Sequence, residues 1–191
     1  VMGNCGFGIA PCPAGQRDTV LRNLSVVEGM DLEALQAGVR WGPESFAGYL
    51  DQIERIHPVA NVAVLAQHST IRSAVMGEEA SSRAAPSEEQ LLRMKGMVRE
   101  AMRAGAIGFA SSFSPNHAGW AGRPMPSTIA SDSELLSLVS ILKENNSGIF
   151  VMATGPRATP EYMENLSAKS GRPAFMVTVL TMYNDREPAK A

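Results

Sequence analysis

Short apolar runs alternate along the chain with longer stretches in which apolar residues recur every three or four positions. The runs are 60–66 (ANVAVLA), 106–110 (AIGFA), 148–153 (GIFVMA) and 174–180 (AFMVTVL), and Val1-Met2 reads as the tail of another. They are nearly continuous and rich in β-branched and aromatic residues, which suits strands covered on both faces. Between them lie amphipathic helical patterns. One runs through Phe46, Leu50 and Ile53, with Pro43 suited to its first turn. Ser87 with Gln90 predicts a capping box before Leu91, Leu92, Met94, Val98 and Met102, and Gly105 a helix stop. Ser131 with Glu134 repeats the capping signature before Leu135, Leu138, Val139 and Leu142. Thr159-Pro160 starts a last helix and Gly171 ends it.

The resulting order is strand, long insertion, then strand and helix in alternation through about five strands. It predicts an α/β fold with a parallel sheet and right-handed crossovers. Five strands can complete a doubly wound sheet or form part of an eight-stranded (β/α)8 barrel of the TIM type, and periodicity leaves both open. No internal repeat, low-complexity tract or second domain interrupts residues 1–191. The long irregular stretches are 8–16 and 111–130.

Composition narrows the partners. The 191 residues are 45% hydrophobic, enough for one sizeable core. With 17 basic and 19 acidic side chains the formal charge is -2, so no nucleic-acid-binding surface is expected. No apolar run reaches the roughly 18 residues of a membrane span. Cys5 and Cys12 share one Gly/Pro-rich loop, where a disulfide would close too short a ring to stabilise much. Two lone thiols suit a reducing cytoplasm. A non-Met start at Val1 suggests a piece of something larger.

In a parallel sheet the loops after the strands gather on one rim. That rim collects Asn4 and Cys5; Gln67, His68 and Arg72; the segment from Ser111 to His117, with Ser114 and Asn116; Arg123; Thr154, Gly155 and Arg157; and Thr181, Tyr183, Asn184 and Asp185. Cys5, flanked by Gly3, Gly6 and Gly8, is either a soft metal ligand or a structural thiol in a tight turn. His68 either contacts a substrate or caps the next helix. Arg72 either grips a carboxylate or pairs with Glu78 or Glu79. His117 lies in a long loop of the kind that carries function, and His57, before Pro58, reads as structural. The glycines of 3–8 do not have dinucleotide-binding spacing and run into prolines rather than a helix.

Gly-Asn-Cys-Gly-Phe-Gly-Ile-Ala-Pro (3–11) resembles the loop after a barrel strand in the N-acyl-D-amino-acid deacylases, the D-aminoacylase branch of the amidohydrolases. Val27-Glu28-Gly29-Met30, Gln67-His68-Ser69-Thr70-Ile71-Arg72, Val75-Met76-Gly77-Glu78 and Ala104 to Phe109 are similar to family segments in the same order. The resemblance implies a metal-dependent (β/α)8 barrel, of which this chain is a central slice from the second strand to about the sixth. It implies hydrolysis of N-acyl-D-amino acids with zinc as cofactor and Cys5 as a zinc ligand. His68, Arg72, Ser114, Asn116, His117 and Arg157 are the candidate substrate contacts.

The sequence also departs from the family. The His-x-His motif would precede Val1 and the catalytic Asp would follow Ala191. Gly155 stands where relatives carry a ligand histidine, and no histidine follows His117. The chain alone is therefore expected to be inactive, and a non-catalytic homologue that binds an acyl-amino acid or a partner protein is the alternative. A partial barrel also has open sheet edges, so the chain is expected either to be unstable alone or to self-associate into a homo-oligomer.

Overall fold

The computed structural model describes residues 1–42, 44–83 and 85–177. Pro43, the end of the last apolar run and the rim residues Thr181, Tyr183, Asn184 and Asp185 lie outside the described residues.

Four strands, β1 (Ala66–Gln67), β2 (Gly108–Ser112), β3 (Ile149–Ala153) and β4 (Ala174–Val177), form one parallel sheet in the order β1-β2-β3-β4. A parallel bridge joins Met2 to Val64 on the far side of β1. The Met2 N–H donates to the Ala63 carbonyl at 2.8 Å, and the Leu65 N–H donates to the Met2 carbonyl at 3.0 Å. Five parallel segments thus lie side by side in chain order. A doubly wound sheet reverses direction at a switch point, whereas a barrel adds each strand beside the last. The order decides for part of a barrel.

The helices are α1 (Arg17–Val27), α2 (Leu32–Gly38), α3 (Phe46–Ile56), α4 (His68–Met76), α5 (Glu88–Ala104), α6 (Asp132–Asn145) and α7 (Pro160–Ser170). The alternation of side chains along the strands gives the sheet two different faces. Ala66, Phe109, Phe150 and Met152 face the helices, in a core with Met94 and Val98 of α5, Leu138 and Leu142 of α6 and Leu166 of α7. Leu65, Ala110 and Val151 form a smaller cluster on the opposite, inner face. Each fully buried Leu or Phe contributes about 1.5–3 kcal/mol, so the helix-facing layer carries most of the hydrophobic stabilisation.

The caps follow the sequence closely. Ser87 and Gln90 exchange both bonds of the capping box, and Gly105 ends α5 in the left-handed conformation. Thr159 caps α7 with Pro160 in its first turn, and Gly171 ends it. Ser131 caps α6 by accepting from the Glu134 N–H. The Glu134 side chain does not reach back to complete a box; it enters a buried ion pair instead. The insertion after Met2, unassigned in the sequence, contains α1 and α2. Of the run 60–66, only Ala66 is in a strand.

Candidate functional site

The loop 3–8 leaves the Met2 strand at its C-terminal end. The Gly6 carbonyl accepts from Ser69 N–H at 2.8 Å, and the Gly8 N–H donates to Thr70 Oγ1 at 2.9 Å, so the loop rests on the first turn of α4. Gly6, at φ +70°, passes so close to β2 that a Cβ would stand 2.8 Å from Ser111 Cα. This close fit holds Cys5 over the rim. Its single S–H has two acceptors in reach, Glu28 Oε1 at 3.5 Å and the Phe7 carbonyl at 3.6 Å. Burial, reinforced by the Glu28 carboxylate, pushes the Cys5 thiol above its ordinary range, although the Phe7 backbone opposes this. Cys12 lies in a cluster with Phe7, Val20 and Met125, against which Cys5 also packs, and burial raises the Cys12 thiol to about 11. Both cysteines are free.

Two adjacent serines end β2 and serve two histidines on opposite faces. Ser111 points to the helix layer, where its Oγ is 2.8 Å from His68 Nδ1. His68 Nε2 is 2.9 Å from Glu134 Oε1, and Arg72 Nε is 2.9 Å from the same oxygen. The carboxylate can only accept, so the ring donates to it from Nε2, and Nδ1 lies against the Ser111 hydroxyl. Arg72 also donates to the carbonyls of Ala80, Pro126 and Arg83. Burial alone would raise the Glu134 pKa, but the hydrogen bonds and charges of His68 and Arg72 outweigh it and hold the carboxyl below its ordinary value.

His68 and Arg72 both have 0% exposure. Expected at the rim as substrate contacts, they lie behind the sheet with their polar groups engaged by the protein. Arg72 pairs with Glu134; Glu78 pairs with Arg123 and Glu79 with Arg83. The Ser-His-Glu line resembles a nucleophile, base and orienting acid, yet no substrate reaches a serine with no exposed surface.

Ser112, the other serine, points to the inner face. Its Oγ is 2.7 Å from His117 Nδ1 and accepts the Ser114 N–H at 3.1 Å. An open cavity of about 360 Å³ at the strand ends is lined by Gly3, Asn4, Cys5, Glu28, His117 and Ala153, with Val1 and Val177 at its edges. The structure thus brings Cys5 and His117 together and adds Glu28, which sequence reasoning passed over as a site residue. Its only signal was its place in Val27-Glu28-Gly29-Met30. Burial lowers the His117 pKa, partly offset by the Glu28 charge.

Ser114 and Asn116 sit in the same loop but do not line the cavity. Arg157 lies 3.9 Å over the Phe113 ring and is paired with Asp132, which also accepts from Tyr162. Burial favours the neutral Asp132, but Arg157 and Tyr162 outweigh it and lower the pKa.

The described residues do not complete a metal centre. Among the described residues no three His, Cys, Asp or Glu side chains converge closely enough to hold an ion, and catalytic zinc takes about three protein ligands. The end of β3 adds none. A Cβ on Gly155 would collide with the Phe113 carbonyl oxygen, so backbone fills the place where a side chain would start.

These features define a class: a stretch of parallel (β/α) barrel with a thiol, a carboxylate and an imidazole at its C-terminal mouth. No family model matches the sequence. It is 33% identical over 111 residues, 58% of this chain, to a D-aminoacylase of Alcaligenes xylosoxydans xylosoxydans, of which the match takes in 20%. A solved D-aminoacylase, described for the role of its binuclear metal center, superposes with a TM-score of 0.64 at 21% identity, covering 98% of this chain and 37% of that one. N-acyl-D-glutamate deacylase from Bordetella bronchiseptica, solved with zinc and a phosphonate inhibitor, gives 0.63 at 23% identity over 90% of this chain and 32% of that one. The sequence and structural neighbours of this chain are thus D-aminoacylase and N-acyl-D-glutamate deacylase, members of the amidohydrolases. The chain spans about a fifth of the curated relative and about a third of the solved chains.

Proposed function

We propose that this chain forms part of the barrel of a metal-dependent hydrolase that cleaves the amide bond of N-acyl-D-amino acids, with the cavity at the strand ends as its substrate site. The observation that carries this reading is the seating of Cys5 on the barrel mouth beside Glu28. A thiolate is a soft zinc donor. On this reading Cys5 is one ligand of a zinc centre whose other donors lie outside the described residues. His117 is the candidate substrate contact that fits best. Ser114, Asn116 and Arg157 fit only if the substrate extends along the loop beyond the cavity, and burial removes His68 and Arg72 from that role. No helix among the described residues is long and apolar enough to cross a membrane, and the two free thiols favour the cytoplasm.

Zinc retention after dialysis tests the assignment. Cys5→Ser should lower it and Cys12→Ser should not; equal retention in both would remove Cys5 as a ligand. The 191-residue chain with zinc should bind N-acetyl-D-amino acids yet not hydrolyse them. Calorimetry showing no binding of the D-series would sink the substrate reading.

A second reading is a non-catalytic homologue that binds an acyl-amino acid or a partner protein. The backbone packing at Gly155 favours it, because no simple substitution there restores a ligand.

A further inference from the structure

Ser112 is 1% exposed, so each of its polar groups needs a partner inside the protein. Its Oγ has two neighbours, the Ser114 N–H at 3.1 Å and His117 Nδ1 at 2.7 Å. A hydroxyl has one proton to give, and the Ser114 N–H brings its own. The hydroxyl proton therefore goes to Nδ1, and the neutral imidazole carries its proton on Nε2. His117 lines the mouth cavity and its Nδ1 edge is occupied, which leaves Nε2 for a ligand. The same cavity holds the Glu28 carboxylate. A ligand carboxylate beside it would be repelled, whereas an amide offers a neutral carbonyl oxygen to the imidazole.

We infer that Ser112 fixes His117 as an Nε2–H donor that receives the carbonyl oxygen of a secondary amide in the barrel mouth. The inference rests on the substrate site proposed above and names the group that site grips. Ser112 acts through His117 and is a positioning residue.

Long-range ¹⁵N–¹H correlation spectra of the histidine rings test it on the 191-residue chain, with His117→Gln identifying the signals. The expected pattern is the Nε2–H tautomer. N-acetyl-D-alanine and N-methylacetamide should shift the His117 Nε2 signal in a saturable way, and free D-alanine should not. Ser112→Ala should release the tautomer toward Nδ1–H and weaken the N-acetyl-D-alanine response roughly tenfold, the worth of one good hydrogen bond. Where that variant does not fold, the wild-type spectrum and titrations decide. An Nδ1–H ring in the wild type overturns the inference, as does an equal response to D-alanine. If N-acetyl-D-alanine shifts the amides of Asn4 and Cys5 but not His117, the role of His117 falls and the proposed site stands. If no mouth signal moves, the proposed site falls and the inference with it.

Discussion

Glu134 shows how far a buried charge depends on its partners. It accepts from both His68 and Arg72 in a place with no exposed side-chain surface. Taking one partner from such a group leaves the other desolvated and unpaired, which costs about 3–5 kcal/mol. Glu134→Gln should therefore lower the unfolding free energy by about that amount in urea titrations at pH 7. The pH dependence has a definite sign. The native carboxyl is held below its ordinary value of 4.5, so the unfolded state binds more protons than the native state in the window between the two values. The stabilisation is complete above the unfolded pKa and is lost as pH falls through the native one. Wild-type stability should decline on acidification below about pH 5, and the Gln variant should show a flatter profile. Parallel profiles for the two proteins would remove Glu134 as the titrating group.

Elements carry the next level of information, and they differ in how readily the sequence shows them. The boundaries of α5 and α7 are written in local chemistry, because Ser87, Gln90, Gly105, Thr159, Pro160 and Gly171 act within one turn of where they stand. The strand over 60–66 shrinks because Asn61 and Val62 find no ladder and Ala63 to Leu65 meet only the single Met2 bridge, and only long-range pairing could reveal that. The site divides in the same way. Cys5 was legible from its glycine-rich loop. The partition of Ser111 and Ser112 to opposite faces depends on the register of β2, and Glu28 comes to the mouth only through the folding of a long insertion. Two glycine substitutions should have opposite effects for reasons visible only in the packed elements. In Gly155→Ala the new Cβ would collide with the Phe113 carbonyl oxygen, forcing the β3 end away from the β2 loop. The loss should be about 1–3 kcal/mol, the usual range for overpacking. Gly96 lies inside α5, and a methyl group added there would find nothing within 4 Å. Gly96→Ala should therefore stabilise by about 0.5–1 kcal/mol. Thermal unfolding of the two variants checks both signs at once.

Among the described residues the helix-facing side of the sheet is covered throughout, while the inner face is buried at its centre and exposed toward its edges. Helices cover Phe109, Phe150 and Met152 completely. The inner face has Leu65, Ala110 and Val151 buried at its centre, and among the described residues apolar side chains at both edges are exposed. Phe175 pairs in register with Val151, so it points to the same inner face, and it is 52% exposed. At the opposite edge Val1 is 73% and Met2 43% exposed. Among the described residues β4 and the Met2 segment each pair on one side, leaving backbone donors and acceptors available to another strand. An open edge beside exposed apolar side chains favours pairing between chains. The chain should therefore associate with itself, and its light-scattering mass should rise with concentration above that of a monomer. Phe175→Lys places a charge on the inner face beside the β4 edge, at a position already half exposed. It should shift the mass toward the monomer while leaving the urea midpoint nearly unchanged, since the side chain is half exposed to begin with. A wild-type mass that stays monomeric at high concentration would show that the inner face is stable in water without a partner. A Lys variant that associates as strongly as wild type would move the contact to the Met2 edge.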